Sequence, residues 1–173
     1  MCSLACRSVR VGSYKVLPKH KINVTKSGVQ IKVPAILDTD EIITINIQMT
    51  DVTKVLAHFG KSMPLLFLYI SPSACNRART FLSMSNNQSF YLDITSQDET
   101  QKRVTILPEK LSDDNKMVLK QYFGNRLQEV ESKEANEILV RSSPKDLHVL
   151  RQKMANGAIA KKEDIFLQLI EDL

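Results

Sequence analysis

The stretch Asp40-Glu-Ile-Ile-Thr-Ile45 decides how this sequence folds, and it invites two readings. An acidic pair ahead of Ile42, Ile43, Thr44 and Ile45 is the pattern of a short segment that adds a strand to a ubiquitin-like partner. It is equally the start of a core strand. The residues that follow favour the second reading. Ile43, Ile45, Ile47 and Met49 occupy one parity, and Thr44, Asn46 and Gln48 the other. That is the period-two pattern of a strand with one buried face. A recognition peptide does not need so long an alternation. A strand serves both purposes only at a sheet edge, where its backbone groups lack a partner. Ile42, Ile43 and Ile45 are therefore the first candidate partner contacts.

Working outward, the same periodicity lays out a β-rich domain. Val9, Val11 and Tyr14–Val16 fit a first strand. Lys21–Thr25 alternates up to a turn at Ser27-Gly28, and Val29, Ile31 and Val33 alternate up to Pro34. After Met49, a tight turn near Thr50-Asp51 leads into Val52–Phe59. Leu65–Ile70 is almost wholly apolar, which predicts a central strand covered on both sides. Ser71-Pro72 then changes the period, because serine caps helices and proline suits the first helical position. Cys75, Ala78 and Leu82 follow at helical spacing. Residues 84–100 are polar and read as a loop, Val104–Leu107 as a short strand. Ser112 caps a second helix carrying Met117, Val118, Leu119, Tyr122 and Phe123, which ends at Gly124. Six or seven antiparallel strands, an inserted helix and a closing helix define a mainly β fold with α. The order is that of a pleckstrin-homology-like bent barrel or sandwich, and another type of closed β-barrel is the rival. The domain is placed at residues 6–140. Residues 141–173 are placed as a helical C-terminal extension, one helix opening at Ser143-Pro144 with Leu147, Leu150 and Met154 on one face. A second, terminal helix carries Phe166, Leu169 and Ile170 as further candidate partner contacts.

The formal net charge of +5 is unevenly distributed. Arg7, Arg10, Lys15, Lys19, Lys21, Lys26 and Lys32 all precede the first acidic residue, Asp38. A basic third either solubilises the fold or meets an anion. Lys15, Lys19, Lys21, Lys26 and Lys32 are the candidate anion-binding residues, for phosphoinositide or nucleic acid. No apolar run reaches the length of a membrane span or a secretion signal.

Catalytic material is sparse. No Gly-rich phosphate loop is present, and the acidic pairs Asp113-Asp114 and Glu171-Asp172 lie at helix ends, where carboxylates serve capping or solubility. His20, His58 and His148 are far in sequence from Cys2, Cys6 and Cys75. Three cysteines without framework spacing fit a reducing compartment, and Cys2 and Cys6 lack the second half of a zinc site. Cys75, on an apolar helix face, reads as a small buried hydrophobe. The expectation is a non-enzyme with no metal and no cofactor.

The segments VRVGS (Val9–Ser13), TDVTKV (Thr50–Val55), MPLLFLYISPSA (Met63–Ala74), QKRVTIL (Gln101–Leu107) and KEANEILV (Lys133–Val140) occur in an order that resembles one family. They resemble the accessory region preceding the protease domain of the sentrin-specific (SUMO-chain-editing) proteases, types six and seven. The resemblance covers roughly Cys6 to Val140. It implies a pleckstrin-homology-like fold, a nuclear setting (cytoplasmic as the alternative) and a link to SUMO. It does not imply cleavage. The family's His–Asp–Cys site lies in a separate downstream domain that nothing here matches, and the chain has no Trp to flank such a His. The function expected is a scaffold or adaptor module that docks a protein partner, SUMO or another nuclear factor. The alternative is a binder of an anionic surface through the basic third.

Overall fold

The computed structural model describes residues 1–85 and 90–143. Ten strands form two sheets around one core. They are β1 (Cys2–Leu4), β2 (Cys6–Val11), β3 (Tyr14–Val16), β4 (Ile22–Thr25), β5 (Gly28–Pro34), β6 (Ile42–Gln48), β7 (Val52–His58), β8 (Leu65–Ile70), β9 (Val104–Pro108) and β10 (Leu127–Glu129). Three helices complete the described chain: α1 (Pro72–Leu82), α2 (Asp113–Phe123) and α3 (Ser132–Ser142). One sheet has the order β1-β4-β5-β6, the other β10-β7-β8-β9-β2-β3. Every pairing is antiparallel except β10 with β7. The expected pleckstrin-homology-like, mainly β architecture with helices is what the chain forms.

Three strands exceed the expected six or seven, each for a local reason. Gly12 (φ 59) and Ser13 form a two-residue turn that splits the expected first strand into β2 and β3. A Cβ on Gly12 would stand 2.1 Å from the Tyr91 carbonyl oxygen, so only glycine fits. β1 arises because Cys2 and Leu4 are buried and pair through the register Cys2↔Val24 and Leu4↔Ile22. Cys2 acts there as a small hydrophobe rather than as a terminal thiol. At Ala5 the chain passes from one sheet to the other, and the Ala5 carbonyl accepts from Glu109 N–H at 2.9 Å. β10 is three residues long, and its parallel pairing rests on a partner far away in sequence.

The two sheets share a core that includes Val9, Val24, Ile31, Ile45, Val55, Leu66, Leu68 and Ile106. α1 begins as expected, with Ser71 Oγ accepting from Ala74 N–H at 3.1 Å and Pro72 in the first turn. Ala74, Cys75, Ala78 and Leu82 of α1 join the core. α2 is capped by Ser112 and sends Leu119 and Phe123 into the same core beside β1 and β4. It closes one end of the sandwich.

α3 forms a third layer. It lies over the outer face of the six-stranded sheet, where Ala135, Ile138 and Leu139 pack with Leu56, Leu65, Phe67, Leu107 and Val130. This accounts for the uninterrupted apolar run in β8. Leu66, Leu68 and Ile70 enter the main core, while Leu65 and Phe67 enter the α3 cluster. The C-terminal end of α3 is held by two buried arginines. Arg103 donates through Nε to Tyr69 Oη at 3.0 Å, through Nη1 to Ser142 Oγ and through Nη2 to Glu99 Oε2 at 2.5 Å. The Arg103 hydrogen bond and charge hold the Glu99 carboxyl below its usual 4.5, although partial burial opposes this. A carboxylate with a depressed folded-state pKa contributes stability above its unfolded value, and loses it as pH falls through the folded one. Glu99→Gln should therefore lower the urea midpoint at pH 7. The gap from the parent should close as pH falls through the depressed folded-state value, where both carboxyl states become protonated.

Candidate functional site

β6 is the outermost strand of the four-stranded sheet, and β5 is its one ladder partner among the described residues. The register runs without a slip from Gly28↔Gln48 through Ile31↔Ile45 to Pro34↔Ile42. The parity read from the sequence holds. Ile45 (3% exposed) and Ile47 are buried in the core, and Ile43 is half-buried against it. Ile42 belongs to the other parity and is 39% exposed. Of the three isoleucines proposed as partner contacts, two face inward and Ile42 lies outside. Met49 is buried but sits in the 3-10 turn Met49–Asp51 rather than in the strand.

The approach to the strand is acidic and compact. Glu41 N–H donates to the Asp38 carbonyl at 3.0 Å, Asp40 N–H to Asp38 Oδ1 at 3.1 Å, and Ala35 N–H to the Glu41 carbonyl at 2.8 Å. Three carboxylates thus stand at the N-terminal end of β6. α1 lies against β6 with its buried face in the core and leaves Phe81 exposed.

The outward parity of this sheet carries a side-chain ladder that sequence reasoning missed. Ser3 Oγ donates to Asn23 Oδ1 at 2.6 Å, Asn23 Nδ2 to Gln30 Oε1 at 3.5 Å, and Gln30 Nε2 to Asn46 Oδ1 at 3.2 Å. Ser3↔Asn23, Asn23↔Gln30 and Gln30↔Asn46 are directly opposed pairs, the closest side-chain neighbours a sheet offers. Among the described residues, the ladder ends on Asn46, with no further strand beside its amide. A groove of about 310 Å³ lies along this face, lined by Asn23, Thr25, Gln30, Asn46 and Gln48 among others. The signal was in the sequence: three strands place an amide residue on the polar parity.

The five lysines do not converge on one element. Lys15 is on β3 at the edge of the six-stranded sheet. Lys19 and Lys21 lie in the loop before β4, and Lys26 lies in the turn after it. β4 is four residues long, which separates those two groups by roughly 13 Å. Lys32 sits on the outward parity of β5. Phe166, Leu169 and Ile170 lie outside the described residues, as do the helices expected in the C-terminal extension.

The thiols are poor nucleophiles where they stand. Burial, with a contribution from Glu109, pushes Cys6 up to about 12. Burial raises Cys75 and Cys2 as well. His58 is half-buried at the end of β7, its Nδ1 3.0 Å from the Val130 carbonyl. Among the described residues, no cluster of His, Cys, Asp and Glu could hold a metal ion, and no helix is long and apolar enough to cross a membrane.

Two packed sheets, a closing helix and a covering helix make this a PH-like domain. The chain belongs to the SENP6/SENP7 PH-like domain family, whose model matches residues 1–148. No curated protein matches the chain. One similar solved structure is described as a synaptonemal complex protein, at 15% identity and a TM-score of 0.40. The match covers 73% of this chain, which spans 28% of the length of that one.

Proposed function

We propose that this domain is a non-catalytic interaction module that receives an extended segment of a nuclear protein partner along the free edge of β6, and that the partner is SUMO. One observation carries the reading: among the described residues, a seven-residue strand with a fixed register is left with a single ladder neighbour. An added strand would bond to the free backbone groups of β6 and continue the side-chain ladder from Asn46. Asp38, Asp40 and Glu41 would steer a basic stretch of the partner to the N-terminal end of the strand. Ile42, exposed on the same strand, would supply apolar contact. The family supports the choice of partner, because its proteases edit SUMO chains. The acidic lead into DEIITI supports it from the sequence. An adaptor of this kind needs no chemistry of its own, and the protonated, buried thiols agree with that.

The reading is tested by an amide chemical-shift titration of the isotope-labelled chain with a SUMO dimer, at low and moderate salt. Saturable shifts confined to Asp40–Gln48 and its neighbours are expected. Ile42→Asp should abolish them while leaving the rest of the spectrum in place. A folded domain that shows no shifts removes SUMO as a direct ligand. The second reading is anion binding through the five lysines. It predicts affinity for anionic vesicles or oligonucleotides that falls steeply with salt. Their separation across β3, β4 and β5 favours the edge-strand reading.

A further inference from the structure

We propose that Ser143 is a phosphorylation site, and that Arg10 is the buried cation that receives the phosphate. Arg10 is 0% exposed beneath the C-terminal end of α3. It donates through Nη1 to the Leu139 carbonyl at 3.3 Å and through Nη2 to Ser143 Oγ at 3.4 Å. Both bonds are long, and both acceptors are neutral. Its Nε has no hydrogen-bond partner among the described residues. Burial lowers its pKa to about 10, which leaves the guanidinium charged at neutral pH. No ion pair to a carboxylate compensates it among the described residues. A buried guanidinium with a spare donor and no counter-charge is incomplete by the ordinary rules of burial. Arg103, two residues before Thr105, Arg10's cross-strand partner, is complete, because Glu99 neutralises it.

A phosphoryl group on Ser143 Oγ would supply what Arg10 lacks. It brings close to two negative charges and three acceptor oxygens, and the guanidinium fork matches it in two-bonded geometry. The negative end of the α3 dipole opposes a phosphate at this position. The full charge of Arg10, shielded from water, outweighs that partial charge. Ser142 is the poorer acceptor, because its oxygen meets Arg103, already paired with Glu99.

The sequence around the site is Arg141-Ser142-Ser143-Pro144, and a serine followed by proline is the acceptor pattern of proline-directed kinases. In the transfer, the Ser143 Oγ–P bond forms to the γ-phosphorus of ATP and the bond from that phosphorus to the ADP oxygen breaks. The hydroxyl proton leaves to the kinase's base. Ser143 is 3% exposed, so the last turn of α3 must lift for the kinase to reach it. That turn invites lifting. Past Leu139 it is held by hydrogen bonds from the two arginines rather than by apolar packing, and helix ends open at less than the global free energy. Once modified, the turn closes onto Arg10.

The experiment treats the full 173-residue chain with a proline-directed kinase and ATP, with a peptide spanning residues 139–148 as the control substrate. Phosphopeptide mapping should place one phosphate on Ser143, and Ser143→Ala should abolish it. The phosphorylated chain should melt at a higher temperature than the unmodified one. Its phosphate should titrate by phosphorus NMR about one unit below the usual value of ~6. Both effects should vanish in Arg10→Gln and in Arg10→Met, the second serving if the first does not fold. Modification of the peptide but not of the chain, or phosphate on Ser142 alone, overturns the proposal. So does a phosphate on Ser143 that titrates near 6 and lowers the melting temperature.

Discussion

Ile45→Asp is expected to leave no folded protein. Ile45 lies in the middle of β6, directly opposite Ile31, and both are buried in the core shared by the two sheets. Aspartate there would have to bury an ionised carboxylate without a partner or take up a proton to avoid doing so. Substitutions of this kind cost more than about 4–5 kcal/mol. A domain of this size has roughly 5–15 kcal/mol in all. The far-ultraviolet circular dichroism of Ile45→Asp should therefore show loss of the β signal, with dispersed amide shifts absent. Ile43→Asp, at a half-buried position, should be destabilised less. Ile42→Asp should fold, because its side chain lies on the outward parity. The three variants separate packing from recognition along one strand. A folded Ile45→Asp that had lost only a partner would overturn the assignment of this residue to the core.

Phe67→Ala should cost about 3–5 kcal/mol. Phe67 is fully buried, near the middle of the six-stranded sheet and on the side that faces α3. Its strand neighbours on that face are Leu56 on β7 and Thr105 on β9. Truncation to alanine leaves a void in the cluster beneath α3, and three apolar residues on α3 are too few to collapse into it. The loss should appear in the urea midpoint. A second signature separates it from a main-core lesion: the amide shifts of α3 and β10 should move far more than those of β4 and β5. Uniform perturbation of both sheets would show that α3 is not an independent layer.

These two positions also show what the sequence could and could not announce. Ile45 was legible because a strand with one wet face writes its alternation into the chain. The run at β8 was legible as doubly covered, but its second cover was not. α3 presents a short stripe, Ala135, Ile138 and Leu139, which marks a helix but does not say which sheet face it covers. β10, Leu127-Gln-Glu129, is short and mostly polar, and its pairing depends on a distant strand. β1 was hidden because it is three residues long, with Cys2 and Leu4 as its only positions toward the interior. The basic third was read as a single solvated or anion-binding face. The structure removes Arg10 from that face and buries it, and alternation alone could not separate it from Lys15. At the candidate site, the strand was legible and its position at an edge was not, because sheet order is set by contacts between segments far apart. The amide residues of the ladder from Ser3 to Asn46 were legible on the polar parity, but their pairing was not, since each rung joins a different pair of strands.

The parallel pairing of β10 with β7 has a consequence for how the molecule assembles. Leu127 pairs with Val55, and His58 meets Val130 at a sequence separation of 72. Contacts that distant form only after the intervening chain has been ordered, since loop-closure entropy must be overcome first. The hairpins β4–β5, β5–β6 and β7–β8 close short loops and can form early. β10 and the helix behind it can then dock only on a sheet that already exists. On the ribosome, the edge strand β6 would emerge and pair before the layer that carries Ser143 had been synthesised.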